Sequence, residues 1–493
     1  MFRKSVSALV ASAAFPLSAS LLALGALGLG VALAGPPPAA AQASPSQASA
    51  SKASPSKASP SKASIAQAPA LEASERALLL SLLENPRPAK VDLEAVERSF
   101  DRAWWAPVLE THNFVRDPQA RARLMEMLAR DTGVDHGADI NRWFRWLWNE
   151  SYVDVPGYDA FKTEYYREID PRFGRYFEGR ADQARIRLDE VRWGGVRQDG
   201  IPPLRNPKML RAEQADYLDD DNVVFGIEVG GDARAYPKRI LAWHEMFTDT
   251  VGGVEVAGVY CTLCGTVILY DVDGHDLGTS GFLYRSNKLM YDRATQSLWN
   301  TLTGEPVIGP LAEQGIALDH RSVVTTTWGK WRELHPDTQV LSLDTGHRRD
   351  YAEGVAYHDY FADDDLMFNT PFVDSRLANK QEVLALRFKG QSGKSLAIDT
   401  DFLRANPVYA GAVGSQRFVV LTDETGANRV YDPGDIRFTR LDDRTVTDTQ
   451  GRPWQITESR LTAPDGRTLE RLPYHRAFWF GWQAAYPDTE LVR

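Results

Sequence analysis

The stretch Gly258-Val259-Tyr260-Cys261-Thr262-Leu263-Cys264-Gly265-Thr266-Val267-Ile268-Leu269-Tyr270 reads as two strands joined by a Cys-x-x-Cys-Gly turn. Val254 to Tyr260 before the turn and Thr266 to Tyr270 after it are rich in β-branched and aromatic side chains, which suit a pleated, half-buried surface. The pattern predicts a hairpin with both cysteines at its tip. These are the only 2 cysteines in a chain of 493 residues. Two thiols pinned so closely can hold a soft metal, form a reducible disulfide, or close an inert bridge.

The β texture extends on both sides of this hairpin. Val223 to Val229 followed by Gly230-Gly231-Asp232 reads as strand and turn, and Leu277 to Tyr284, Leu289 to Tyr291 and Ser297 to Leu302 continue the pattern. Helices are expected at Pro237 to Phe247 and around Trp328 to Leu334. Before residue 200 the apolar period is helical instead. Leu78, Leu79, Leu82 and Leu83 share one face of a segment that Pro86 should end, and Val91 to Trp105 continues in the same way. Ala122 to Leu128 and Trp143-Phe144-Arg145-Trp146-Leu147-Trp148 predict two further helices. The tryptophans of the last run are read as core, because aromatics at helical spacing usually pack inward.

The chain opens with Arg3 and Lys4, an apolar run from Leu9 to Ala34, and small-x-small sites at Ala32-Leu33-Ala34 and Ala41-Gln42-Ala43. This is the layout of an export signal; an uncleaved anchor is the competing reading, since the run is long. From Ser44 the motif Ser-Pro-Ser-Lys-Ala recurs, a composition that cannot bury a core and reads as a flexible linker. Removing residues 1–43 takes two basic residues and no acidic one, leaving 54 basic against 66 acidic and a net charge of −12. That balance argues against nucleic acid and anionic lipid as partners. No later stretch is apolar enough to span a bilayer.

The β-rich unit recurs. Ile227-x-Val229-x-Gly231 matches Leu386-x-Phe388-x-Gly390, and Trp331 to Thr338 matches Trp482 to Thr489, both closing on Pro-Asp-Thr. The cysteine hairpin aligns with Val419 to Gly426, placing Thr422 and Thr425 opposite Cys261 and Cys264. Three matches in the same order predict a tandem duplication. A turn that closes with threonines does not need thiols, so the cysteines are expected to serve chemistry local to the first copy.

Several blocks resemble the DUF3179 family of bacterial and archaeal proteins, whose function is not established. They are Tyr260-Cys261-Thr262-Leu263-Cys264-Gly265, Ser280-Gly281-Phe282-Leu283-Tyr284-Arg285-Ser286-Asn287, Met290-Tyr291-Asp292-Arg293, Ser297-Leu298-Trp299 and Leu302 to Leu311. Ala235-Tyr236-Pro237 and Trp243-His244-Glu245 also fit. The resemblance runs from about residue 200 to the C-terminus and implies no reaction.

The chemistry therefore rests on the residues. A thioredoxin-like pair opens a helix, whereas Gly265 to Tyr270 favours a strand, so the turn is closer to the metal knuckle of zinc ribbons and rubredoxins. Glycine, not histidine, follows Cys264, which excludes haem attachment. A knuckle supplies two ligands, and His244 is the expected third, with zinc or copper as the metal and an open coordination position. His335 is weaker, because its repeat counterpart is Tyr486. Met290 would matter only for Cu(I) and is otherwise core. Asn287, Asp292 and Arg293 are candidates for binding a small polar substrate, against the plainer reading of a turn held by an Asx bond and an Asp–Arg pair. No nucleotide loop or catalytic triad is visible.

The expected fold class is α+β: an N-terminal helical domain followed by two tandem β-rich repeats. The expected divisions are a signal peptide at 1–43, a Ser/Pro/Lys/Ala linker at 44–70, and a helical domain at 71–200. A cysteine-bearing repeat follows at 201–345, a connecting segment at 346–381 and a second repeat without cysteines at 382–493. The leading expectation is an exported protein, periplasmic or extracellular, with a Cys261–Cys264–His244 metal site. The alternatives are an extracytoplasmic thiol–disulfide protein and a non-enzymatic binding scaffold with an inert disulfide. Whether its partner is a small molecule or a protein stays open.

Overall fold

Alternating apolar positions build a series of largely antiparallel sheets after about residue 190, and a block of helices packs against one of them. The computed structural model describes residues 66–67, 69–84, 90–391 and 393–493. The export signal at 1–43, most of the 44–70 linker and Pro86 lie outside the described residues. Among the described residues no helix is long and apolar enough to cross a membrane.

The helices begin and end where local chemistry dictates. Helix Pro118–Thr132 has Pro118 in its first turn, the Asp117 carboxylate accepting from the Gln119 and Ala120 amides, and left-handed Gly133 at its end. Helix α1, Ile140–Asn149, is capped by Asp139 in the same way. It buries Trp143, Phe144, Leu147 and Trp148, as the helical spacing predicts. The expected helix from Val91 to Trp105 is broken in two. Lys90–Ser99 stops, and the Asp101 side chain accepts from the Ala103 amide to start a new turn leading into Trp105–Thr111. The helical region shares its core with the sheet that follows: Leu79, Trp104 and Tyr165 belong to one cluster with Phe282, Tyr291 and Ile308.

The first β region contains β1 (Val223–Val229), β2 (Asp232–Pro237), helix α2 (Lys238–His244), β3 (Met246–Val251), β4 (Val254–Cys261) and β5 (Thr266–Asp271). It continues with β6 (Leu277–Tyr284), β7 (Asn287–Asp292), β8 (Val324–Thr327), helix α3 (Trp328–Leu334) and β9 (Gln339–Leu341). Helix α2 is shorter than its expected span because Glu245 turns left-handed (φ 55°) and the chain enters β3 at once. In the second region come β10 (Glu382–Leu386), β11 (Leu396–Asp399), helix α4 (Thr400–Ala405), β12 (Val408–Val413), β13 (Gln416–Thr422) and β14 (Asn428–Tyr431). After a five-stranded meander over residues 438–470 it ends in β15 (His475–Phe478), helix α5 (Trp479–Ala485) and β16 (Glu490–Val492).

One sheet runs β8-β1-β2-β9 and another runs β15-β10-β11-β16. Over these four strands the first two pairings are antiparallel and the third is parallel; the first sheet adds a fifth strand, Met209–Arg211, antiparallel to β9. A separate sheet holds β3, β4 and β5 as neighbours, and another holds β12, β13 and β14. The Trp331 indole donates to Thr338 Oγ1 at 2.9 Å, and the Trp482 indole donates to Thr489 Oγ1 at 3.0 Å.

Candidate functional site

The cysteines close the β4–β5 hairpin as its alternation predicts, with Cys261 opposite Thr266 and a single 3₁₀ turn over Thr262–Cys264. Gly265 ends that turn with φ 58°, and a Cβ there would lie 2.8 Å from the Phe478 ring, so this position needs glycine. Both thiols are buried, in an apolar cluster with Leu263, Leu283, Tyr360, Phe478 and Phe480. Their Sγ atoms lie 2.8 Å apart, and Cys264 Sγ lies 3.1 Å from the Ser286 carbonyl oxygen.

The two thiols are not equivalent. Burial pushes Cys261 up, but the neighbouring Cys264 thiol, the Lys288 amide and the Lys288 ammonium outweigh it against the opposing Glu245 charge, and the net shift is downward. Burial pushes Cys264 well above the ordinary thiol range, and its contact with Cys261 adds to that. Lys288 is itself buried, with Nζ 2.8 Å from Glu245 Oε2 and donating at 3.0 Å to the Glu245 carbonyl. Tyr357 Oη donates to Glu245 Oε1 at 3.0 Å. Left-handed, non-glycine backbone gathers around the site: Glu245, Arg285, Ser286 and Tyr357 all have positive φ. Arg285 and Ser286 form the tight turn between β6 and β7, which presents the Ser286 carbonyl to Cys264.

The connecting segment lies over the thiols as a strap. Tyr360 Oη donates at 2.7 Å to the carbonyl of Leu263, between the two cysteines. Ser286 Oγ donates to the carbonyls of Phe368 (2.9 Å) and Asn369 (3.2 Å). Helix α5 closes the remaining side. A Cβ on Gly481 would sit 3.1 Å from Cys264 Cβ, and Asn287 Nδ2 donates to the Gly481 carbonyl at 3.1 Å.

The expected ligand set is not assembled. His244 Nδ1 lies 2.8 Å from the Pro202 carbonyl and Nε2 lies 2.6 Å from Tyr351 Oη, so both ring nitrogens are engaged away from the sulfurs. Among the described residues no three of histidine, cysteine, aspartate and glutamate converge as a metal-holding group. Burial lowers His244 to about 4, leaving it neutral as an anchor for the strap through Tyr351. His335 lies tilted against Trp331 at 4.0 Å between ring centres, as Tyr486 lies tilted against Trp482 at 4.3 Å. Met290 is fully buried in the apolar cluster of Ala257 and Ile268, apart from the thiols.

Asn287, Asp292 and Arg293 do not form one subsite. Asn287 starts β7 beside the cysteines, and Asp292 ends that strand, five residues and about 16 Å away at strand rise. Asp292 caps a turn by accepting from the Thr295 amide (2.7 Å) and hydroxyl (2.8 Å). Arg293 pairs with Asp199 at 2.8 Å rather than with Asp292. Of the three, Asn287 alone stays at the site, with its Oδ1 buried and without a partner. Glu245, Lys288, Tyr357 and Tyr360 carry the site's electrostatics and cover without having been singled out. The Trp243-His244-Glu245 block held the only signal.

The chain belongs to the family described as a protein of unknown function (DUF3179), whose model matches residues 198–489. No curated protein and no solved structure matches it.

Proposed function

We propose that Cys261 and Cys264 act as a two-electron thiol–disulfide pair. The observation that carries this is a pair of buried thiols 2.8 Å apart: contact with Cys264, joined by Lys288, biases Cys261 toward thiolate, while burial and the same contact bias Cys264 toward the protonated form. A nucleophilic thiolate beside a protonated resolving thiol is what exchange with a disulfide requires. The strand-flanked knuckle keeps two sulfur ligands, fewer than the three or four a zinc site uses. With the export signal read in residues 1–43, the pair would work in a compartment where disulfides persist.

The two β regions are read as tandem copies, of which only the first carries thiols. Their common strand order, the shared antiparallel–antiparallel–parallel pairing and the equivalent Trp–Thr bonds support that reading.

Thiol titration of protein equilibrated in dithiothreitol buffers of graded potential tests the function. Two thiols should be lost and regained together, with a mass change of two hydrogens, and Cys261→Ser should abolish the transition. Stoichiometric zinc or copper that Cys261→Ser releases would overturn it in favour of the metal reading. A disulfide that resists reduction in the folded protein would overturn it in favour of an inert bridge.

A further inference from the structure

The thiols are closed to solvent, yet a cavity of roughly 180 Å³ lies on the other side of Ser286. Its walls come from five parts of the chain: Asn113, helix α1, the Glu190–Arg192 stretch, the end of β6 with the β6–β7 turn, and the strap at Met367 to Asn369. Leu283 and Phe368 belong both to this wall and to the apolar packing around the cysteines. Ser286 joins the two compartments, because its carbonyl faces Cys264 while its hydroxyl holds the Phe368 carbonyl. A ligand pressing on Phe368 would work against one of the bonds that keep the strap over the thiols.

The charge lining the cavity is specific. Glu190 is taken by Arg285 through two bonds of 2.6 and 3.2 Å, which neutralises both. Arg192 is different: its guanidinium lies 3.5 Å over the Phe144 ring and, among the described residues, makes no hydrogen bond or ion pair. A guanidinium laid flat on an aromatic ring keeps its N–H edge free, the geometry that receives a carboxylate in two parallel bonds. Phe144, Trp148 and Leu283 supply apolar wall for the rest of a small ligand.

We infer that this cavity admits the substrate of the dithiol, and that the substrate is a small organic disulfide carrying a carboxylate for Arg192. The inference rests on the thiol–disulfide reading above. The Cys261 thiolate attacks one sulfur of the substrate, breaking its S–S bond, forming a mixed disulfide and releasing one thiolate. That thiolate takes the proton of Cys264. The Cys264 sulfur then attacks Cys261 Sγ and expels the second substrate half as a thiolate. Two protein thiols become one disulfide, and one external disulfide becomes two thiols.

The test compares three small disulfides against the reduced full chain: dithiodipropionate (anionic), hydroxyethyl disulfide (neutral) and cystamine (cationic). Rates of thiol loss are read by quench and mass spectrometry. The net charge of −10 disfavours the anion in bulk, so any preference for it reports a local cation. The expected result is oxidation by dithiodipropionate about tenfold or more faster than by hydroxyethyl disulfide, a charge-assisted contact's worth. Arg192→Gln should erase that advantage, and Arg192→Lys should keep part of it. Cystamine or hydroxyethyl disulfide reacting as fast as the anion, or an anion preference that survives in Arg192→Gln, overturns this inference and leaves the dithiol reading standing. No intramolecular disulfide with any of the three overturns both.

Discussion

Replacing Lys288 by methionine separates the electrostatics of the site from its packing. Lys288 is 5% exposed and Glu245 is 6% exposed, so the pair is shielded from water and its partners are fixed. Removing one member of a buried ion pair usually costs about 3 to 5 kcal/mol, because the survivor keeps its charge without compensation. Here Tyr357 still donates to Glu245 Oε1 at 3.0 Å, which places Lys288→Met at the low end, about 3 kcal/mol. The double variant Glu245→Gln/Lys288→Met removes both charges and keeps an acceptor for Tyr357. It should return to within about 1 kcal/mol of the parent, since an apolar replacement of a buried pair is often close to neutral. Urea unfolding of the three proteins measures both numbers. Ultraviolet thiolate absorbance against pH gives an independent reading: Lys288→Met loses the ammonium that favours the Cys261 thiolate, so the thiol titrates higher, and Glu245→Gln shifts it lower. A Lys288→Met cost below about 1 kcal/mol, or a double variant less stable than the single, would refute the argument that this pair is a compensated buried charge.

Acid should unfold the protein early. His244 and His320 are lowered by burial to about 4, against 6.5 in the unfolded chain, so below 6.5 the unfolded state takes up protons that the folded state refuses. Each costs progressively more stability as pH falls toward 4, reaching about 3 kcal/mol, and urea midpoints that hold steady between pH 7 and 4.5 would contradict this. Tyr360→Phe removes the bond to the Leu263 carbonyl, worth about 1 kcal/mol net, and should speed modification of the thiols by an aromatic disulfide reagent about fivefold. An unchanged rate would mean that the strap is not what shields them. Thr338→Val and Thr489→Val each strand a buried indole N–H, at about 1 to 3 kcal/mol apiece. Costs differing by more than about 1 kcal/mol would count against the two tryptophan helices being one device used twice.

The parts of the site that depend on local pattern were readable in advance. β-branched runs on either side of Cys261 and Cys264 set the hairpin, and the Trp331–Thr338 and Trp482–Thr489 spacings each marked a short helix closed by a Trp–Thr bond. What stayed hidden depends on contacts without periodicity. The strap is mostly irregular, so nothing in its sequence announced that Tyr357 and Tyr360 reach back about a hundred residues to Glu245 and Leu263. His244 stood next to the right residue for the wrong reason. Left-handed Glu245 ends the helix and separates a histidine that anchors the strap from a carboxylate that pairs with Lys288. Asp292 and Arg293 misled because nearness in sequence is distance along an extended strand.

The threonine hairpin of the second region clarifies why the thiols sit where they do. Its tip is covered by helix α3 of the first region, much as the cysteine tip is covered by helix α5 of the second. Thr326 Oγ1 lies 3.1 Å from Thr425 Oγ1, and Lys330 Nζ lies 3.0 Å from Glu424 in that tip. In the aligned tryptophan helices, Lys330 stands where α5 has Gly481. A lysine at 481 would start from a Cβ 3.1 Å from that of Cys264, so the thiol pair and a long cationic side chain exclude each other at this spot. On the tandem reading, one tip is filled by an ammonium among carboxylates, and the other keeps that space for Cys264 through a glycine. The thiol site then depends on three departures from its counterpart: two cysteines in β4–β5 and one missing side chain in α5, more than 200 residues later.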